Sequence, residues 1–372
     1  MLKVGITGQA GFVGTHLYNT LGLHPEEFQR IEFQKDYFDD DDLLNEFVAK
    51  CDVIIHLAAM NRHHDPQVIY DSNIGLVKKL IHSLEISNSK AHVIFSSSTQ
   101  EERDNLYGKS KKEGREMMSA WAEKSSGKFT GLIIPNVFGP FGHPNYNSVI
   151  ATFSHKISRN ESPSIDIDAD LKLIYVGELV DFILKEIKSV NGNEKVMIEH
   201  TSQCKVSHLL ALLTSYKEEY QDKGIIPVIN NVFELNLFNT YRSYIDVKKY
   251  FPVKFTQHTD TRGSFVEIIR LGVGGQVSFS TTVPGITRGN HFHTRKIERF
   301  AVIKGKALIQ LRRIDSDEVI DFYLDGNEPA YVDMPIWYTH NIKNIGDEVL
   351  YTNFWINEFF DPNDPDTYFL DV

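Results

Sequence analysis

Four side chains near the carboxy terminus, His291, His293, Glu298 and His340, are of the types that hold a divalent ion of the zinc, nickel, iron or manganese kind. They fall in the spacing G-x5-H-x-H-x4-E-x6-G from Gly285 to Gly305, and Pro335-x4-His340-x3-Asn344 follows. Histidines two apart on a strand point to the same side, so His291 and His293 can face one interior, with Glu298 joining after a turn and His340 from a distant strand. Satisfied core histidines without a metal are the alternative. Near the other end, Tyr107 and Lys111 are four apart, which on a helix places both on one face. An ammonium beside a phenol favours the phenolate, lowering a pKa of about 10 toward the range of general acid/base work. A third pattern, Thr7-Gly8-Gln9-Ala10-Gly11-Phe12-Val13-Gly14, joins a first strand to a helix. Glycines there let the backbone turn tightly and approach a pyrophosphate, while the helix amino terminus supplies amides and partial positive charge.

Elements that could position these groups are legible in the periodicity. Up to about residue 245, short apolar runs alternate with amphipathic stretches, as in a parallel sheet with crossover helices. Leu2 to Thr7, a stretch ending near Phe33, Val53 to Leu57, His92 to Ser96 and Thr130 to Ile134 are predicted strands. Phe12 to Leu21, Asp42 to Lys50, Asn73 to Ser87 and Tyr107 to Ser125 have helical spacing. Beyond about residue 250, runs rich in valine, isoleucine, phenylalanine and tyrosine recur between glycine or charged turns, which suits a small antiparallel barrel or sandwich. Pro252 marks the hinge, so the expected domains are 1–247 and 254–372.

The bulk numbers bound the possibilities. A chain of 372 residues suits two domains, and 41% hydrophobic with 24% charged residues is ordinary for a globular enzyme. A formal net charge of −11 argues against nucleic-acid or anionic-membrane binding. Two cysteines, Cys51 and Cys204, form no ligand cluster. With no signal peptide or long apolar span, a reduced, cytoplasmic protein is expected.

The glycine-rich turn resembles the T-G-x-x-G-x-x-G of the extended short-chain dehydrogenase/reductase family. His56-Leu57-Ala58-Ala59 matches that family's fourth-strand motif, Asn73 its structural asparagine, and Tyr107 and Lys111 its Y-x-x-x-K pair. The resemblance implies catalysis by Ser98, Tyr107 and Lys111, with Ser97 and Thr99 as neighbouring choices for the serine. Only eight residues separate Ser98 from Tyr107, shorter than the usual loop. It also implies cofactor contacts from Thr7, Gly8, Gly11, Phe12, Val13, Gly14, Gln34, Lys35, Leu57, Ala58, Ala59, Tyr107, Lys111, Pro135 and Asn136. NAD sites place a carboxylate about twenty residues beyond the glycines. The count lands on Gln34 and Lys35, favouring NADPH, although Asp36 lies just beyond. His143 to Asn147 fits a substrate contact or a plain surface turn, and Tyr175 to Val180 sits where the family has Y-V-D-D.

At the carboxy end, the His291, His293, Glu298 and His340 pattern resembles the two motifs of the cupin family. Thr287 to His291 and Asp260 to Glu267 also resemble segments of metal-free cupins that epimerise 4-keto-6-deoxy nucleotide sugars. Arg262, Arg288 and Arg295 could meet a diphosphate, because guanidinium forks match phosphate oxygens. The whole chain, including Pro144 to Phe153 and Asp361 to Leu370, resembles the bifunctional capsular polysaccharide synthesis enzymes that make UDP-N-acetyl-6-deoxy-L-talosamine. That resemblance implies a Rossmann-type doubly wound parallel sheet (α/β) followed by an all-β cupin barrel. It further implies NADPH, a divalent metal of the zinc type, a UDP-linked 4-keto-6-deoxy amino sugar as substrate, and a homodimer. An epimerase base stays open among Tyr338, Glu267 and other groups.

Overall fold

Val4 and Ile6 alternate with Gly5 and Thr7 in the first strand, β1 (Leu2–Thr7), and both faces of the sheet built on it are buried. In the computed structural model, which describes residues 1–125, 127–146, 148–189, 192–261 and 263–372, β1 pairs in parallel with β2 (Phe28–Ile31) and β3 (Val53–His56). Asn147 and Arg262, named above as possible substrate contacts, lie outside the described residues. β4 (His92–Ser98), β5 (Lys128–Ile134) and the strand Asn193–Met197 continue the sheet in the order β2-β1-β3-β4-β5 and then Asn193–Met197. Doubly covered parallel sheets need near-continuous apolar strands, which is why β3 reads Val-Ile-Ile-His with all four residues buried. Strand order reverses between β1 and β3, and ligands bind at such a switch point, beyond the carboxyl ends of the strands.

Among the described residues, helices covering this sheet include α1 (Phe12–Leu21), α2 (Asp41–Lys50), α3 (Pro66–Ile86) and α4 (Leu106–Ser125), with Val176–Ile187 packed beside α1. The helix predicted from Asn73 begins already at Pro66. Asp65 caps it by accepting from the Gln67 amide at 2.9 Å, and proline is tolerated in a first turn. β2 in turn stops at Ile31, short of the expected Phe33. Among the described residues no helix is long and apolar enough to cross a membrane.

Two compact units divide the chain, Met1–Thr152 with Ile167–Val206 and Phe153–Asp166 with Ser207–Val372. Helices of the second unit, such as Val232–Arg242, thus group with the β region. A buried network explains that grouping. Asp333, on the strand Ala330–Met334, accepts from Arg299 Nε at 2.7 Å and Nη2 at 3.0 Å, and from the Tyr220 hydroxyl at 2.7 Å. Arg242 donates to the Met334 carbonyl at 3.1 Å, and the Arg299 guanidinium lies 3.7 Å from the Tyr331 ring centroid.

The β region comprises two five-stranded antiparallel sheets and a hairpin of Gln257–Asp260 with Gly263–Val266. One sheet runs Val253–Lys254, Ala330–Met334, Glu298–Lys304, Leu350–Ile356, Gln276–Thr282. The other runs Val319–Asp325, Lys306–Arg313, Tyr338–Asn344, Thr287–Phe292, Tyr368–Phe369. An all-β region was expected and is present, but no closed barrel is found among the described residues. Each ladder ends at its own edge strands, so the architecture is a two-sheet one, with a core of Phe300, Val302, Ile309, Leu311, Val332 and Ile342 among others.

Candidate functional site

At the switch point the glycine turn is held as a cradle. Gly8 has φ +78°, and a Cβ there would come within 2.8 Å of the Ala58 amide nitrogen. A Cβ on Gly14 would meet the Gly8 carbonyl at 2.2 Å, so α1 packs on the turn only because these positions lack side chains. Gly11 caps α1 in extended conformation and leaves the first-turn amides directed outward. These close approaches fit a dinucleotide pyrophosphate. Thr7 lies beneath, buried, its hydroxyl 2.7 Å from His56 Nδ1. At the end of β2, Gln34, Lys35 and Asp36 are all exposed, and Glu32 follows the strand directly, accepting from Gln34 Nε2 at 3.1 Å. Leu57, Ala58 and Ala59 follow β3 half-buried, while Pro135 is buried and Asn136 exposed after β5.

Tyr107 and Lys111 occupy the opening turns of α4. The helix start is brought over the end of β4 by the short Thr99–Glu102 turn, whose Gln100 carbonyl would lie 1.9 Å from a Cβ on Gly108. This close approach is how so short a loop still delivers the tyrosine. Lys111 is buried, with Nζ 3.4 Å from Ser96 Oγ and 5.0 Å from the Phe95 ring centroid. Burial pulls its ammonium down to about 8, with Glu101 opposing. The expected lowering of the Tyr107 phenol does not occur: burial, with Tyr146 adding to it, pushes it up to about 12. The lysine meets Ser96, and desolvation of the phenolate prevails at the phenol.

Alternation along β4 sorts the three serines. Ser97 points away and donates to Glu101, itself in a buried pair with Arg115 at 3.0 Å. Ser96 and Ser98 share the other face. Ser96 donates to the His56 carbonyl at 3.0 Å, and Ser98 accepts from the Gln100 amide at 3.2 Å. The Ser98 hydroxyl proton stays available, since one hydroxyl both accepts and donates. Asn73 ties the loop after β3 to α4, bonding Met60 through both amide atoms and Ser110 at 3.0 Å. Arg62 donates to the carbonyls of Asn145 at 2.6 Å and Tyr146 at 3.0 Å, which fixes the loop bearing Tyr146.

In the β region, His291 from Thr287–Phe292, His340 from Tyr338–Asn344 and Glu298 from Glu298–Lys304 converge with His293, their ligand atoms all within 4.8 Å of one another. Glu298 Oε2 lies 3.0 Å from His293 Nε2, 3.2 Å from His340 Nε2 and 4.0 Å from His291 Nε2. Nδ1 of His340 is 3.1 Å from the Tyr338 carbonyl, and Nδ1 of His293 meets the Asp366 carbonyl. A neutral ring that donates from Nδ1 turns a lone pair outward at Nε2. Both Nε2 atoms and Glu298 Oε2 are buried without a hydrogen-bond partner among the described residues. Lone pairs converging out of water repel one another unless a proton or a metal cation sits between them, and three imidazoles with one carboxylate fit a divalent metal. Burial draws His291 down to about 4, helped by His340, which keeps it neutral and able to coordinate. A cavity of about 390 Å³ opens beside His291 and Glu298, walled by Phe300, Ile342, Phe354 and Phe360, with Arg288 and Ser280 as polar members.

Residues 4–199 match the model of the NAD dependent epimerase/dehydratase family. The chain belongs to that family. Residues 258–368 match a polysaccharide biosynthesis C-terminal domain. Over its full length the chain is 31% identical to UDP-2-acetamido-2,6-beta-L-arabino-hexul-4-ose reductase of Pseudomonas aeruginosa, covering 99% of that protein. It is 35% identical to the capsular polysaccharide assembling protein CapF from Staphylococcus aureus, with both chains fully covered and a TM-score of 0.63. RMD from Pseudomonas aeruginosa complexed with NADPH shares the fold alone, at 17% identity over 66% of this chain and a TM-score of 0.57. An epimerase- or reductase-type enzyme with a nicotinamide cofactor follows from membership of the NAD dependent epimerase/dehydratase family.

Ser96, Glu32 and Asp366 stand beside these groups without a motif that singles them out. Ser96 could have been found from its period-two relation to Ser98, and Glu32 from an earlier end to β2. Asp366 carried no local signal. His56 was read only as part of a motif, yet burial, with Lys111 adding to it, lowers its pKa from 6.5 to about 3. Below pH 6.5 the unfolded chain takes up a proton that the folded imidazole refuses until about pH 3, so stability is lost progressively as pH falls through that window. Urea unfolding across this range is expected to give a shallower acid slope for His56→Gln; an unchanged slope would place the proton uptake elsewhere.

Proposed function

We propose that this chain is a bifunctional nucleotide-sugar enzyme. It inverts C3 of a UDP-4-keto-6-deoxy-N-acetylhexosamine in the cupin-like region 254–372. Region 1–247 then reduces C4 with NADPH to UDP-2-acetamido-2,6-dideoxy-L-talose, the protein acting as a homodimer. Full-length similarity to a relative named as a reductase of a UDP-linked 4-ulose carries the reading.

In the reduction, Gly8, Gly11 and Gly14 would hold NADPH, whose nicotinamide would supply the hydride. Tyr107 gives its phenolic proton to the C4 oxygen, Ser98 donates a hydrogen bond to the carbonyl, and the buried Lys111 charge favours the developing phenolate. Lys35, exposed just after β2, would suit a 2′-phosphate. In the epimerisation, the 4-keto group acidifies the hydrogen on C3, so a base removes it and a proton returns on the opposite face. His291, His293, Glu298 and His340 would hold a divalent ion, zinc by donor type, which adds positive charge beside the cavity where an enolate develops. Glu267, paired with Arg270 at 3.0 Å, and Tyr338 are both absent from the described cavity lining, so neither is favoured as base. Reduction at C4 removes the ketone and thereby traps the inverted centre.

The 4-keto sugar incubated with enzyme in deuterated water and no NADPH is expected to take up deuterium at C3, read by NMR. A second reading has support in the relative's name, which mentions reduction alone: a single-activity 4-ketoreductase whose β region is structural or dimerising. NADPH oxidation with no deuterium at C3 would select that reading.

A further inference from the structure

We infer that the segment 361–371 is a strap that pre-organises the four-ligand cluster, with Asp366 as its positioning residue. The inference rests on the metal reading above. Asp366 is 2% exposed and has a positive φ of +39°. Its carboxylate is used entirely on the loop that joins His293 to Glu298. Oδ1 accepts from the Thr294 amide at 3.0 Å and hydroxyl at 2.6 Å, and Oδ2 accepts from the amides of Arg295 at 3.1 Å and Lys296 at 3.0 Å. Its own carbonyl meets His293 Nδ1, which fixes that imidazole's tautomer and turns Nε2 toward Glu298. One residue thereby sets the spacing of two ligands and the orientation of one.

The rest of the segment reaches the other ligand strands. Phe369 pairs with His291 in the sheet, the Leu370 amide donates to the Asn290 carbonyl at 3.0 Å, and Thr339, next to His340, donates to the Leu370 carbonyl. Buried Lys296 donates to the Pro365 carbonyl at 2.7 Å and closes the strap from the loop side. A carboxylate taking several backbone amides is a charge-assisted anchor, and groups that orient metal ligands govern affinity almost as strongly as the ligands do.

Chelator competition with Zn²⁺, and the visible absorption of the Co²⁺-loaded full-length protein, test this. Asp366→Asn keeps the side chain's shape but loses acceptor capacity toward Arg295 and Lys296. It is expected to weaken Zn²⁺ binding about 10- to 100-fold and to alter the Co²⁺ bands, while far-UV circular dichroism of the metal-free protein is unchanged. Asp364→Ala, which removes the exposed partner of Arg295 in the same segment, is expected to leave affinity as it was. Should Asp366→Ala fail to fold, Asp366→Asn carries the test alone. Wild-type affinity in Asp366→Asn overturns the strap and leaves the metal reading standing. Absence of stoichiometric Zn²⁺ or Co²⁺ uptake by the unaltered chain overturns both.

Discussion

Tyr107→Phe is expected to lower C4 reduction by about three orders of magnitude while NADPH binding is retained, since general acid catalysis of this kind contributes roughly 10²- to 10⁴-fold. Hydride addition to a ketone leaves an alkoxide, and the phenol is the proton donor the geometry offers. Its elevated pKa of about 12 serves this direction of reaction, because the group enters the reaction protonated throughout the neutral range. Lys111, at about 8, is charged over the same range and loses its proton as the pH rises. The value of kcat/KM should therefore fall on the alkaline side near that pH, as it reports ionisations of the free enzyme. Steady-state kinetics with the 4-keto sugar, beside fluorescence titration of NADPH, checks both. Activity of Tyr107→Phe within tenfold of the unaltered protein would remove the tyrosine from the mechanism.

Asp333→Ala is expected to destabilise the second unit by about 3–5 kcal/mol, the range for breaking a buried pair by deleting one partner. Asp333 is 0% exposed and Arg299 2%, so the substitution leaves a guanidinium out of water with two lost carboxylate contacts. The Tyr220 hydroxyl loses its acceptor as well. The double change Arg299→Met with Asp333→Leu should cost far less, because both desolvated charges then disappear together. Denaturant unfolding followed by a probe in the β region reads the difference. A single variant as stable as the double would show the pair to be dispensable.

Much of the chemistry is legible in the sequence, and unevenly so. Gly8 and Gly14 are demanded by the backbone's close approach, so their spacing is legible in the sequence. Tyr107 and Lys111 lie on one helix, where local geometry fixes their shared face, but which groups Lys111 would meet depended on β4. There the ammonium meets the Ser96 hydroxyl at 3.4 Å and the face of Phe95. Likewise, Ser98 was named from its position after a strand, whereas its capping bond to Gln100 came from the unusually short loop.

By itself the sequence determined the two-part organisation into parallel α/β and all-β regions, the glycine-rich turn after β1 and the identity of the four clustered donors. Each rests on a short-range rule of periodicity, glycine conformation or ligand chemistry. Tertiary structure alone decided that the β region forms two sheets without a found closure and that burial, not Lys111, governs the Tyr107 phenol. It also decided that Asp366, some seventy residues from Thr294, orders the loop between His293 and Glu298. Desolvation and contacts between distant strands depend on how the chain returns on itself, and no local pattern encodes them.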